Sequence, residues 1–293
     1  MSTITLSSAA RARETGRHFV PRLSWLWSGL FGCLVILNIA PLIWGILTSF
    51  KGQADLFRFP PAFVSFTPTL ENYERVFLSG FGGNLGISLV NALAAVVLAL
   101  VLALPAAYAF DRFNFPLRRV LFLAVVASIP LSIGAAALLI PNYVYFASLG
   151  LTNTPIVLPM LYAAHQLPMA IWVIKGTIEG IPRELDEAAT ADGCTTFQIL
   201  RYVILPLVRP ALGAAAILVF VGSWNEFVAS SVMVDSPSLR TVQPAIYSFI
   251  GFFGREWGPL TASATLAILP ILIIFALFGR LMVSGLTKGS VKG

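Results

Sequence analysis

The chain alternates between long apolar stretches and short polar segments. Six of the stretches are about 20 residues or longer, which is the length a helix needs to cross the hydrocarbon core of a bilayer. None shows the two-residue alternation of a membrane β-barrel strand. The pattern therefore predicts an all-α membrane protein with six transmembrane helices. The predicted helices are Leu26–Phe50, Ser88–Phe110, Val120–Phe146, Pro155–Lys175, Ala211–Val234 and Pro259–Leu281.

The composition and charge agree with a chain that has lipid as its main solvent. Hydrophobic residues make up 57% of the chain and charged residues 11%, whereas a soluble domain has about 25% charged residues. The net charge of +6 could suggest nucleic acid, but topology explains it better. With a cytoplasmic N-terminus, 14 of the 19 Lys and Arg residues fall on the cytoplasmic side, as the positive-inside rule requires. We therefore expect both termini in the cytoplasm, the lipid bilayer as a partner, and no nucleic acid.

The same pattern divides the chain into tails, helices and loops. Cys33 and Cys194 lie in an apolar stretch and a polar loop, so neither a disulfide framework nor a metal cluster is predicted. The predicted parts are a cytoplasmic tail (1–25), a first helix (26–50), an extracytoplasmic loop (51–86), a five-helix domain (87–281) that contains a cytoplasmic loop (176–210), and a cytoplasmic C-terminal tail (282–293).

The cytoplasmic loop concentrates the acidic residues, since five of the 13 lie between Glu179 and Asp192. Pro182 suits the first turn of a helix, where a missing N–H costs nothing. The carboxylates that follow it lie where the helix dipole favours anions. Gly193 is a natural stop, because it adopts positive φ readily. These features predict a short helix that ends at this glycine.

A second short helix follows the glycine. The residues from Thr195 to Gln198 are typical of a capping box that opens a helix. Pro206 and Pro210 predict a bend where this helix meets the membrane. The two helices could form a docking element for a cytoplasmic partner, or they could be an ordinary interfacial loop.

Polar side chains within the predicted helices are candidates for a substrate path. A carboxylate inside the bilayer is costly and suggests a site that faces a cavity, although Glu226 could instead lie near the headgroups or support helix packing. Asn225 offers both a donor and an acceptor. For His165 a hydrogen-bonded packing role is the favoured interpretation. The candidate path residues are Trp224, Asn225, Glu226, His165 and Gln166.

The loop carries a spaced motif. The segment "EAATADG", followed ten residues later by "ILP", resembles the EAA loop of binding-protein-dependent ABC importer permeases. The match is long and falls in the predicted cytoplasmic loop, although Val203 stands where isoleucine is commonest. The residues that the resemblance assigns to the coupling loop are Glu187, Ala188, Ala189, Asp192, Gly193, Leu205 and Pro206.

Other segments resemble the carbohydrate branch of this family, near the smaller permease of maltose-type importers. They are "IPRELDEAATADG", "SWNEF", "AAYAFDRFNF", "LENYERVF" and the C-terminal "GLTKGSVKG". The resemblance covers about residues 25 to 293. The departures are Ile87-Ser88, where Asn-Ser is common, and "FGRLMV", where a Gln-Arg pair is common.

The resemblance implies a type I ABC importer permease in a bacterial inner membrane, with residues 87–281 as the ABC transmembrane domain. It also implies a second, homologous permease, two ATP-binding subunits and an extracytoplasmic sugar-binding protein as partners. ATP and Mg would be used by the partner subunits, because the sequence has no GxxxxGK[ST] loop. We expect no catalytic residues, no metal ligands and no cofactor bound by this chain.

Three alternatives remain open from the residues alone. An ion-coupled secondary transporter would usually need ionisable residues or broken helices near the midplane. Only Glu226 and His165 qualify as ionisable residues, and no inverted repeat is visible in the sequence. An intramembrane enzyme would need a catalytic motif such as HExxH or GxSxG, and the sequence has neither. An ABC permease for an amino acid or phosphate is disfavoured by the carbohydrate-type segments.

Overall fold

The computed structural model describes residues 24–60, 63, 65–130, 136–251 and 254–287. This part of the chain is almost entirely helical, with one short β-hairpin. The helices are α1 (Ser24–Ser49), α2 (Gln53–Leu56), α3 (Glu71–Leu78), α4 (Phe81–Arg112), α5 (Arg118–Ala127), α6 (Ala136–Ser148), α7 (Val157–Ile178), α8 (Glu184–Ala191), α9 (Thr196–Ile199), α10 (Leu205–Leu207), α11 (Arg209–Trp224), α12 (Val228–Met233), α13 (Val242–Tyr247) and α14 (Trp257–Thr287). A π-helical turn (Leu200–Ile204) joins α9 to α10, and strands β1 (Ile250–Gly251) and β2 (Gly254–Arg255) form the antiparallel hairpin.

The chain divides into two compact units, Met1–Leu47 and Thr48–Gly293. The described part of the first unit is most of α1, a helix that continues through Pro41. Its side chains are apolar around the whole circumference, as is typical of a helix in lipid. The second unit contains all the other elements.

The centre of the second unit is the packing of α4 along α7. Alanines at four-residue intervals on α4 are fully buried: Ala95, Ala99 and Ala103. This spacing puts them on one face of the helix, and small side chains let two helix backbones approach closely. The facing part of α7 contributes larger buried residues such as Ile171 and Ile174.

Helix α11 packs against α4, α7 and α14. Near its end, the rings of Phe220 and Trp224 stack with centroids 5.6 Å apart. The indole Nε1 of Trp224 donates a hydrogen bond of 3.1 Å to the carbonyl of Ala267 on α14. These contacts hold the end of α11 firmly against α14.

The structure agrees in part with the predicted set of six helices. Within the described residues, four helices are long and apolar enough to cross a membrane, and a bent pair around residue 208 would give a fifth. The apolar parts of the four are Trp27–Ser49, Phe81–Arg112, Val157–Ile178 and Trp257–Leu277. The predicted third helix coincides with α5 and α6, and residues 131–135 between them lie outside the described part. The predicted tails also lie largely outside it, at residues 1–23 and 288–293.

Two predicted helix bounds are corrected. The fifth predicted helix, Ala211–Val234, is broken, because α11 ends at Trp224 and the chain resumes as α12 at Val228. The first loop helix begins at Glu184, so Pro182 lies just before it and not in its first turn.

Candidate functional site

The predicted pair of short helices is present in the loop that follows α7. Helix α8 ends in a Schellman motif, in which Gly193 N–H donates to the Thr190 carbonyl and Cys194 N–H to the Ala189 carbonyl, both at 3.0 Å. Gly193 has a φ of +80°, as predicted for a glycine stop. The turn is therefore built from backbone hydrogen bonds that depend on this one left-handed residue.

The second loop helix begins with the predicted capping box. Thr195 Oγ1 accepts from the Gln198 N–H at 3.4 Å, and the Gln198 Oε1 accepts from the Thr195 N–H at 2.7 Å. These reciprocal bonds satisfy N–H groups that a helix start leaves without partners.

The loop is anchored by apolar residues after the capping box. Ile199, Ile204 and Val208 are buried. The helical segment Thr196–Leu207 meets α11 at an angle of 80°, which confirms the bend predicted from the two prolines. The segment after the capping box thus runs nearly perpendicular to α11.

The motif residues do not share one environment. The motif positions with exposed side chains are Glu187, Ala188, Asp192, Gly193 and Pro206. Ala189 and Leu205 are partly buried, and Ala189 packs against the core. Apart from Leu185, the exposed side chains of α8 are small or acidic, so the backbone of another protein could approach this helix closely.

A buried ion cluster joins α8 to the end of α4. The Arg112 guanidinium contacts the carboxylates of Asp111 (Nη1–Oδ2, 2.7 Å) and Asp186 (Nε–Oδ2, 2.5 Å). Its Nη2 donates to the Ile181 carbonyl at 2.9 Å. From the loop side, Arg183 Nη2 donates to the Asp111 carbonyl at 3.0 Å.

Of the candidate path residues, Trp224 is buried and engaged with α14, so its indole is not available to a substrate. Asn225 is exposed and lies in the break after α11. Its Oδ1 is 3.5 Å from Gln243 Nε2, a weak contact that leaves the amide accessible.

Glu226 has a local partner that explains its position. Its Oε1 accepts from the Ala229 N–H at 2.8 Å, and its Oε2 accepts from the Ser230 N–H at 3.0 Å. The carboxylate thus caps the start of α12, where free N–H groups and the helix dipole favour an anion. This geometry agrees with a supporting role in helix packing, one of the alternatives that the sequence left open.

We predict graded effects at Glu226. Glu226→Gln keeps one acceptor oxygen and should lose about one hydrogen bond, whereas Glu226→Ala loses both, at roughly 1.5–3 kcal/mol for each bond to a charged group. Thermal melting of the detergent-purified protein should fall in the order wild type, Gln, Ala. Equal melting of all three variants would contradict the cap.

The two candidate residues on α7 contact different neighbours. His165 Nε2 lies 3.4 Å from Asn142 Nδ2 on α6. The Gln166 amide packs on Gly222 of α11, so closely that a Cβ there would lie 2.0 Å from Gln166 Nε2. The structure therefore brings Gln166 to the same end of α11 as Asn225, and directs His165 to α6.

Comparisons with known proteins identify the family of the chain. A family described as "Binding-protein-dependent transport system inner membrane component" matches residues 95–288. The chain belongs to this family. It is a multi-pass protein of the inner membrane.

Individual relatives agree with the family assignment. The chain is 32% identical over 301 residues to the sulfoquinovosyl glycerol transport system permease of Agrobacterium fabrum, with 100% of both chains covered. It is 33% identical over 291 residues to the arabinooligosaccharides transport system permease of Halalkalibacterium halodurans (94% of this chain, 99% of the relative). It is 32% identical over 265 residues to the trehalose/maltose transport system permease of Thermococcus litoralis (89% and 94%).

The fold is similar to a chain in a crystal structure of a bacterial ABC transporter involved in the import of the acidic polysaccharide alginate. The TM-score is 0.75 at 20% sequence identity, with 96% of this chain and 100% of that chain covered. At this identity the likeness shows the fold alone.

Sequence reasoning missed some residues near the loop. Phe197 and Leu185 are large apolar side chains that remain exposed, at 67% and 43%, on the two loop helices. The sequence signal that could have identified them is a large apolar residue between polar ones on a predicted short helix. The ion cluster of Arg112 was also missed, because its partners are about 70 residues apart in the chain.

Proposed function

We propose that this chain is a permease subunit of an ATP-driven ABC importer that carries a sugar or sugar derivative across the inner membrane. The observation that carries the proposal is the loop after α7. It presents the exposed residues of the EAA motif on α8, while buried residues after the capping box anchor it to the core. Such a loop can bind an ATPase subunit on one face and pass its movement to the membrane helices on the other.

The remaining parts of the proposal follow from the family. The chain has six transmembrane helices and cytoplasmic termini, and it pairs with a second permease above two ATP-binding subunits. An extracytoplasmic binding protein delivers the cargo, and ATP with Mg is used by the partners, so this chain catalyses nothing itself. The predicted division into tails, first helix, loop 51–86 and domain 87–281 belongs to the same proposal.

The coupling residues in this proposal are those of the motif, from Glu187 to Gly193 together with Leu205 and Pro206. For the substrate path, the exposed Asn225 and the neighbouring Gln166 are the best supported. His165 is a weaker candidate, and Trp224 and Glu226 support the path by fixing the helix ends.

The energy source separates this proposal from an ion-coupled transporter. Right-side-out vesicles from cells that overproduce the complete transporter, loaded with ATP or with ATP plus vanadate and supplied with the binding protein outside, would be tested for uptake of trehalose, maltose, arabinooligosaccharides and sulfoquinovosyl glycerol. The choice of cargo follows the names of the relatives. Uptake of at least one sugar should be abolished by vanadate and should persist in a protonophore when ATP is supplied.

Two results would contradict the proposal. Uptake that collapses with the protonophore and ignores vanadate would indicate ion coupling. Failure of ATPase subunits to co-purify with the permease would show that the loop does not bind them. A matched strain that lacks only this permease supplies the background rate.

A further inference from the structure

The ion cluster at the end of α4 has a geometry that joins two elements. The three nitrogen atoms of the Arg112 fork each contact a different partner, and two of these partners, Ile181 and Asp186, belong to the loop. The guanidinium is planar and rigid, so the hydrogen bonds from Nη1 and Nη2 fix its orientation, and the Nε–Oδ2 ion pair holds the Asp186 carboxylate beside it. A lysine could provide only a point charge at this position.

The cluster is also largely removed from water. The side chains of Arg112, Asp111 and Asp186 are 7%, 10% and 14% exposed. A buried ion pair contributes little net stability compared with apolar packing, because desolvation offsets the attraction, but removal of one partner is strongly destabilising. The cluster is therefore better explained by the link that it forms between α8 and α4 than by a contribution to stability.

The connection runs in both directions between the two elements. Arg112 reaches from α4 into the loop, and Arg183 reaches from the start of α8 back to the carbonyl of Asp111. Helix α4 has 32 residues and packs along α7 for much of its length. A displacement of α8 is therefore applied directly to the end of a long helix in the core.

We propose that Arg112 is a positioning residue that locks α8 to α4, so that movement of the coupling loop by the ATPase subunits moves α4 as well. This inference rests on the proposed function, because it assumes that α8 binds the ATPase. It adds a second route to the covalent one, in which the loop pulls on α7 and α11 through the chain.

The test measures the far end of α4 in the complete transporter. Gly83 is exposed near the start of α4, and a side chain there would have open space around it. In a Cys33→Ser, Cys194→Ser background, Gly83→Cys would be labelled with a maleimide in lipid nanodiscs. Labelling rates would be compared without nucleotide and with ATP plus vanadate.

We expect nucleotide to change the labelling rate at least twofold when Arg112 is present. Arg112→Gln should abolish this change while the ATPase subunits still co-purify. Arg118→Gln is the matched control, because Arg118 begins α5 and its Nη1 contacts the Asp111 and Phe113 carbonyls and Asn114 Oδ1, none of which belongs to the coupling loop. It should keep the full change.

A further pair of variants separates positioning from charge balance. Arg112→Gln alone leaves two carboxylates without the guanidinium, and the addition of Asp186→Asn removes one of them. The melting temperature of the double variant should therefore lie above that of Arg112→Gln, while the nucleotide response stays lost. Arg112→Lys, which serves if the glutamine variant does not accumulate, should retain less than half of the response.

The inference is overturned if Arg112→Gln responds to nucleotide as Arg118→Gln does, or if the double variant regains both stability and response. Absence of any nucleotide effect with Arg112 in place, while the ATPase subunits co-purify, also overturns the inference. Absence of co-purifying ATPase would instead overturn the proposed function and this inference with it.

Discussion

Gly193→Val should leave the protein in the membrane and reduce the amount of ATPase that co-purifies with it by roughly tenfold or more. The residue has a φ of +80°, a region that costs an L-residue about 1–2 kcal/mol and is a genuine outlier for a β-branched one. Each 1.4 kcal/mol is a tenfold change in an equilibrium. A Cβ at this position would meet nothing within 4 Å, so the expected penalty comes from the backbone and not from crowding.

The measurement is ATPase retained per permease after affinity purification, with membrane content of the permease measured in parallel. Gly193→Asn should retain most of the ATPase, since asparagine tolerates the left-handed region. Gly176→Val is the matched control, because Gly176 lies within α7 and also has open space around it. Equal ATPase retention by the valine and asparagine variants at position 193 would show that the α8 turn does not control docking.

The loop could be predicted in detail because its signals are local. The glycine stop and the capping box each depend on residues within four positions, and the structure contains both. The bend at the membrane followed from Pro206 and Pro210 for the same reason. The start of α8 was misplaced by two residues, which is the usual uncertainty of a helix boundary.

The candidate path was less predictable, because a polar residue in an apolar stretch does not reveal its partner. Glu226 binds backbone N–H groups of its own segment, so the cost of partly burying this carboxylate is offset locally. Trp224 bonds to a carbonyl 43 residues away. The break between α11 and α12 could have been suspected from "SWNEF", since a carboxylate is stabilised near the start of a helix.

The cluster around Arg112 could not be predicted from single-residue patterns. In the sequence, Arg112 follows Asp111 at the end of an apolar stretch. An arginine at such a place is already explained by the excess of basic residues on the cytoplasmic side. Only the fold shows that Ile181 and Asp186 lie within reach of the guanidinium. The end of α4 and the loop are about 70 residues apart in the chain and meet only because α4 packs on α7. The hydrophobic pattern does not tell how these two helices are aligned.

Asn72→Ala and Gly258→Ala should each lower the thermal stability of the protein substantially. Asn72 is buried, and its Nδ2 donates to the carbonyls of Ser49 (2.9 Å) and Lys51 (2.8 Å). Each lost bond to a buried group costs about 1–3 kcal/mol. Gly258 opens α14 against this amide, and a Cβ there would lie 2.2 Å from Asn72 Oδ1, so alanine must displace the amide.

The two substitutions should not be additive, because they act on the same contact. Once Asn72→Ala has removed the amide, Gly258→Ala meets no obstacle from that side chain and should add little further loss. Gly86→Ala on α4 is the control, since nothing lies within 4 Å of its Cβ position. Melting of the wild type, both single variants and the double variant gives the coupling energy directly. A fully additive result would show that Asn72 and Gly258 act independently, and the assigned role of this amide in joining α3, α14 and residues 49–51 would be wrong.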